Sequence, residues 1–65
     1  MRNYVDTHRS DDRTVYISKT ETGWVIECYR RIGQGASLEW RSYRYGEHAE
    51  QLAKRAYYRE TGVQL

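Results

Sequence analysis

The feature that most constrains the fold is a change of hydrophobic period at Gly46. Before this glycine, residues 37–45 (SLEWRSYRY) alternate between apolar and polar side chains, as a half-buried β-strand does. After it, apolar side chains recur at the three- and four-residue spacing of one helix face: Ala49, Leu52, Ala53, Ala56 and Tyr57. Because the chain has only 65 residues, this strand-to-helix junction must organise most of one small domain.

Two further segments have the composition of strands. Residues 13–19 (RTVYISK) and 24–31 (WVIECYRR) alternate and are rich in β-branched and aromatic side chains. The segments TETG and IGQGA supply the turns between the three strands. The sequence therefore predicts an α+β domain, in which a three-stranded antiparallel meander is packed on one face by a single C-terminal helix.

The predicted helix starts near Glu47 and runs for roughly four turns. Gly62 stands where a left-handed C-terminal cap is expected. The small alanines on the apolar stripe allow the helix axis to approach the sheet closely, where bulky side chains such as Trp24 and Trp40 fill the gap. Val63 and Leu65 are expected to fold back onto the end of the helix.

The N-terminal residues are predicted to lie outside this domain. Residues 1–12 (MRNYVDTHRSDD) are polar and have no clear period, which indicates a flexible arm before a domain of residues 13–65. Neither a signal peptide nor a run of about 20 apolar residues is present, so no membrane association is expected. Cys28 is the only cysteine and cannot form an internal disulfide, which favours a cytoplasmic protein.

One helix can cover only one face of the sheet, so the other face is predicted to be open. Residues 30–44 carry four arginines and one acid, interleaved with aromatic side chains, which is typical of nucleic-acid-binding surfaces. The overall net charge is only +2. Alternation places the following side chains on the open face: Tyr16, Ser18, Val25, Glu27, Tyr29, Arg31, Ser37, Glu39 and Arg41.

Three stretches of the chain resemble a known family. In order they are VYISK (15–19), GWVIECY (23–29) and EWRSYRYGEHAEQLAKRAYYRE (39–60). Together they resemble the Apetala-two DNA-binding domain, in particular its bacteriophage, bacterial and apicomplexan forms. The tyrosine-glycine pair that opens an alanine-rich helix is the most distinctive element. The sheet-plus-helix arm-binding domain of phage-type integrases is similar.

The resemblance implies a function and a set of site residues. Its members lay a three-stranded sheet in the major groove of duplex DNA, so this chain is expected to be a DNA-binding protein, such as a phage or mobile-element regulator of transcription. Arg41 is the best candidate for a base-edge contact. The cations expected at peripheral phosphates, where they lie near the rim of the sheet, are Lys19, Arg30, Arg44 and Lys54. The implied DNA-binding residues are Tyr16, Ser18, Glu27, Tyr29, Arg31, Ser37, Glu39, Arg41 and Arg44.

An enzyme is not expected from these residues. His8 and His48 are the only histidines, and neither has a nucleophile or metal-ligand spacing beside it. The sequence therefore predicts no catalytic residue, no metal site and no cofactor.

Two other binding functions stay open. A double-stranded-RNA-binding domain also ends in three strands and a helix, but it needs a first helix that residues 1–12 do not predict. The strongest rival is a protein-binding module, such as a phage-encoded inhibitor of a host or defence protein, because exposed Tyr and Arg are also enriched in protein interfaces. A homodimer that forms through the open face or an edge strand is a variant of this second function.

Overall fold

A computed structural model describes residues 3–65 as one antiparallel sheet and one helix. The strands follow one another in sequence order across the sheet, so the topology is a simple meander. The helix follows the last strand. The elements are β1 (Asn3–Arg9), β2 (Arg13–Lys19), β3 (Gly23–Ile32), β4 (Gly35–Tyr45) and α1 (Ala49–Thr61).

The α+β class is confirmed, but the sheet has four strands where the sequence predicts three. The additional strand, β1, lies within the segment predicted to be a flexible arm, and it pairs antiparallel with β2 from Asn3 to Arg9. An irregularity between Tyr4 and Asp6 breaks its alternation, and most of its side chains are exposed. A strand of this kind has no regular apolar period to reveal it in the sequence. The first two residues of the predicted arm lie outside the described residues.

The hydrophobic core lies between the sheet and α1, on one face of the sheet. The sheet contributes alternate side chains of β2 and β3, and the helix contributes two alanines and a tyrosine, as the period of each segment predicts. Trp40, Ala56 and Val63 are half-buried at its margin, while Leu65 remains exposed. The buried members are Val15, Ile17, Trp24, Ile26, Cys28, Ala49, Ala53 and Tyr57.

The strand-to-helix junction is built as the change of period predicts. Gly46 has a φ of 92°, a backbone conformation that side chains with a Cβ rarely adopt, and its carbonyl accepts a 3.2 Å hydrogen bond from the Ala49 N–H. The predicted C-terminal cap is confirmed, since the Gly62 N–H donates to the Tyr58 carbonyl at 2.7 Å. Leu52 departs from the predicted stripe because it is 42% exposed.

A β-bulge between β3 and β4 changes which side chains of β4 share a face. Trp40 pairs with Cys28, but the next residue along β3, Tyr29, pairs with Leu38, so Glu39 is the extra residue. A one-residue shift exchanges the two faces of a strand. The part of β4 before the bulge therefore faces opposite to the side predicted from alternation alone.

α1 is the only helix that the structure describes within residues 3–65. Its 13 residues are too few and too polar to cross a membrane.

Candidate nucleic-acid interface

The sheet face opposite α1, called the uncovered face below, carries most of the tyrosines. Within residues 3–65 the helix packs on β2, β3 and β4 from the other side. The strand pairing places five of the seven tyrosines on the uncovered face, with one or two from each strand. Its main side chains are Tyr4, Thr7, Arg9, Thr14, Tyr16, Ser18, Val25, Glu27, Tyr29, Arg31, Leu38, Arg41, Tyr43 and Tyr45.

A groove of about 900 Å³ runs over one end of this face. Its walls come from all four strands and from the β3–β4 hairpin around Gln34, so the face is concave there. Two arginines, Arg9 and Arg31, and three tyrosines contribute to its lining, and none of the described lining residues is acidic. The groove therefore combines aromatic walls with positive charge.

The three groove tyrosines contact one another across β1, β2 and β3. The ring centroids of Tyr4 and Tyr16 are 5.5 Å apart, and those of Tyr16 and Tyr29 are 5.6 Å apart with the rings edge to face. Such contacts are favourable geometries for aromatic pairs. Tyr4 remains 61% exposed at the outer end of this row, so a large part of its ring is accessible to a ligand.

An ion pair occupies the centre of the uncovered face. The Glu27 side chain is only 1% exposed, and its Oε2 atom accepts from Arg41 Nε at 2.7 Å and lies 2.6 Å from Arg41 Nη2. The hydrogen bond to Glu27 raises the pKa of the Arg41 guanidinium above its usual range. The Tyr29 hydroxyl donates to the same oxygen at 3.4 Å. Arg41 is thus fixed against the sheet by two of its nitrogens.

Ser18 and Glu27 lie on the uncovered face, as predicted, but they are not accessible there. Ser18 is fully buried, and its hydroxyl has no hydrogen-bond partner among the described residues. Glu27 is buried beneath Arg41. Neither side chain can reach a ligand without a rearrangement of its neighbours.

The β-bulge places Ser37 and Glu39 away from the uncovered face. Ser37 pairs with Arg30, whose side chain belongs to the helix side of the sheet. Glu39 Oε1 lies 4.0 Å from Arg13 Nη1, another side chain of the helix side. The prediction that these two residues share a face with Arg41 is therefore wrong. It assumed that side chains alternate without interruption along β4, whereas the strand contains a bulge that the sequence does not indicate.

The predicted peripheral cations are also distributed away from the groove. Arg44 pairs with Trp24 on the helix side, and its Nη1 donates to Ser42 Oγ and to the Tyr43 carbonyl. Lys54 lies on the helix and donates to Glu50 at 2.8 Å, which lowers the pKa of that carboxyl.

The structure brings Tyr16, Tyr29 and Arg31, which were predicted to share the open face, together in the groove, and adds two residues that the sequence did not indicate. These are Tyr4 and Arg9, which belong to the unpredicted strand β1. In the sequence, the adjacent residues Tyr4 and Val5 could have indicated strand β1, because both residue types favour strands.

Within residues 3–65 no group of three or more histidine, cysteine, aspartate or glutamate side chains is arranged to hold a metal ion. Cys28 is fully buried in the core, and this burial raises the pKa of its thiol. It is a packed core side chain on the side of the sheet opposite the groove.

Comparison with known proteins identifies no relative: no family model, no curated protein and no solved structure matches the chain. The resemblance to the Apetala-two domain therefore stays a prediction.

Proposed function

We propose that this is a small, non-enzymatic DNA-binding protein and that the uncovered face is its binding surface. The observation that carries the proposal is the groove lined by tyrosines together with Arg9 and Arg31, with no acidic residue among its described lining. Arginine guanidinium groups bind phosphate oxygens, and tyrosine rings and hydroxyls contact bases, sugars and phosphates.

The distribution of strand charges supports this proposal better than the overall net charge of +2 does. Three strand residues are acidic, and two of them, Asp6 and Glu39, lie on the helix side. The third, Glu27, is buried in its ion pair with Arg41. Arg9 and Arg31 therefore have no exposed strand carboxylate beside them on the uncovered face. Within the groove a polyanion would therefore meet two arginines and no carboxylate among the described lining residues.

The mode of duplex binding implied by the resemblance requires part of the sheet to enter the major groove. That groove is about 12 Å wide. Four strands at the usual spacing extend for about 14 Å between the outer backbones, before side chains are added. Only two or three of the strands could therefore enter. A role as a phage or mobile-element regulator is the biological setting that the resemblance implies.

The test is a titration of a fluorescent DNA duplex at several salt concentrations. Removal of a single phosphate interaction should reduce the slope of log K against log salt by about 0.9. We expect Arg9→Ala and Arg31→Ala to weaken binding and each to reduce the slope in this way. Arg55→Ala is the matched control, because it removes the same charge from an exposed position on α1.

Equal decreases in affinity for the groove variants and the Arg55 variant would show that binding depends on net charge and not on the uncovered face. Absence of salt-dependent binding to duplex and to single-stranded DNA alike in the unsubstituted protein would refute the proposal itself.

A protein-binding function has its own supporting observation. The edge strand β4 and the adjoining end of β3 expose four large apolar or aromatic side chains: Ile32, Leu38, Tyr43 and Tyr45. The rings of Tyr43 and Tyr45 are nearly parallel, with centroids 6.0 Å apart. Exposed edge strands can pair with another chain, including a second copy or a host protein. Sedimentation of the purified protein over a range of concentrations, with Tyr45→Ser as the variant, tests self-association directly.

A further inference from the structure

Building on the proposed DNA-binding function, we infer that the groove on the uncovered face binds single-stranded DNA in preference to a duplex. The inference depends on three features of the site: its concave shape, the side chains that remain free in it, and the exposed ring at its outer end. Each feature suits unstacked bases better than base-pair edges inside a helix.

The shape of the site is the first feature. A groove of about 900 Å³ extends over all four strands, and the β3–β4 hairpin forms one of its walls. An element that reads the major groove must project into it, whereas this end of the uncovered face is concave. A single strand is thin and flexible enough to enter a concave site, and its bases can turn towards the wall.

The free side chains are the second feature. Base-pair edges are read by directed hydrogen bonds from groups such as arginine, serine and glutamate. On this face Ser18 is buried, and Glu27 and Arg41 are bound to each other. Tyrosine rings and the guanidinium groups of Arg9 and Arg31 remain. Rings stack on bases of any sequence and guanidinium groups bind the backbone, which is how single-stranded nucleic acids are bound without sequence readout.

The exposed ring is the third feature. Tyr4 is 61% exposed, and its contact with Tyr16 supports it from one side. A base that stacks on the exposed part of the Tyr4 ring would lie at the outer end of the group formed by Tyr29, Tyr16 and Tyr4, whose rings contact one another at an angle. Arg9, on the same strand as Tyr4, lines the same groove and is placed to bind a phosphate of the nucleic acid.

The experiment compares two forms of one labelled oligonucleotide by fluorescence anisotropy with the full-length protein. One form is a single strand of about 12 nucleotides with no self-complementarity, and the other carries the same sequence in a hairpin duplex. At equal salt we expect the single strand to bind roughly tenfold more tightly.

Two variants separate stacking from charge. Tyr4→Leu keeps an apolar side chain against Tyr16 but removes the stacking surface, so it should weaken single-strand binding about tenfold and leave the salt dependence unchanged. Arg9→Ala should weaken binding and also reduce the salt slope by about 0.7. Tyr58→Leu is the matched control, because Tyr58 is 52% exposed on α1. Thermal unfolding of each variant verifies that the fold is retained.

The outcomes distinguish this inference from the proposed function. If the duplex binds as tightly as the single strand, and Arg31→Ala weakens both, the DNA-binding function stands and the single-strand preference is overturned. If neither form binds, both proposals fail. If an RNA strand of the same sequence binds more tightly than the DNA strand, the assignment to DNA is overturned. A Tyr58→Leu variant that loses as much affinity as Tyr4→Leu would overturn the placement of the site.

Discussion

Single residues on the uncovered face are held in position by one another. Glu27 is buried where a carboxylate would normally be costly, and the short ion pair with Arg41 offsets this cost. Arg41 in turn has less freedom to bind a base than an unpaired arginine would. The residue that the sequence marks as the best base contact is thus also part of the architecture of the sheet.

At this scale we predict that Arg41→Ala lowers the thermal stability of the protein. The substitution removes the 2.6 Å ion pair from a carboxylate that is only 1% exposed, which weakens the folded state. Circular dichroism during thermal unfolding would measure the change in Tm. Arg55→Ala, on the exposed helix surface, should leave the Tm nearly unchanged, and an equal effect of the two substitutions would contradict the structural role of Arg41.

Between elements, one hydrogen bond joins the two ends of the chain. The Tyr57 hydroxyl on α1 donates to Asp6 Oδ2 on β1 at 2.8 Å, across a separation of 51 residues. Tyr57 is fully buried in the core, so its ring packs against the sheet while its hydroxyl reaches the edge strand. This bond is a direct connection between the helix and the strand that supplies Tyr4 and Arg9 to the groove.

Tyr57→Phe should therefore lower the free energy of unfolding by about 1 to 2 kcal/mol, because the substitution removes a buried hydrogen bond to a carboxylate while the ring is kept. For a domain of this size the Tm should fall by roughly 5 °C or more. Chemical denaturation gives the free energy directly. The neighbouring Tyr58→Phe, at an exposed position, should have little effect, and similar decreases in both variants would argue against the bond.

The start of β3 depends on a close approach between two strands. A Cβ atom built on Gly23 would lie 2.2 Å from the Arg44 carbonyl oxygen, which belongs to the backbone and cannot move aside alone. Gly23→Ala should therefore force β3 and β4 apart and cost about 2 kcal/mol. Equilibrium unfolding in urea would measure this destabilisation.

Gly35→Ala is the matched control for that experiment, because its nearest atom would lie at 3.8 Å, an ordinary contact distance. If Gly23→Ala is as stable as Gly35→Ala, the close pairing of these strands is incorrect.

At the scale of the whole molecule, stability should decrease in alkaline solution. Burial and the hydrogen bond to Asp6 raise the pKa of Tyr57 above its ordinary value of 10.0, and burial raises the pKa of Cys28 above 9.0. The folded protein therefore retains protons that the unfolded chain releases. The stability that the protonated Tyr57 and Cys28 side chains contribute is complete below pH 9. It is lost as the pH rises through their higher folded-state pKa values.

We expect the urea midpoint to fall steadily above about pH 9. In Tyr57→Phe the part of this decrease that begins near pH 10 should be smaller, because the substituted ring has no proton to release. A midpoint that stays constant up to about pH 11 in the unsubstituted protein would contradict the burial of both groups.

The sequence alone was sufficient for the strands β2, β3 and β4, the helix and the core between them. Their apolar side chains follow regular periods of two and 3.6, which depend only on local geometry. It also predicted that one face of the sheet would lack a helix, and it placed Tyr16, Tyr29 and Arg31 there. These features follow from periodicity, because only the segment after Gly46 has the apolar spacing of a helix.

Only the tertiary structure decided which side chains on that face are accessible, because accessibility depends on contacts between strands. The bulge opposite Tyr29 moved Ser37 and Glu39 to the other side, and β1, whose period is interrupted, added Tyr4 and Arg9. The burial of Glu27 under Arg41 joins residues 14 positions apart. Strand register and pairing are set by the free energy of the whole sheet, and no local period in the sequence determines them.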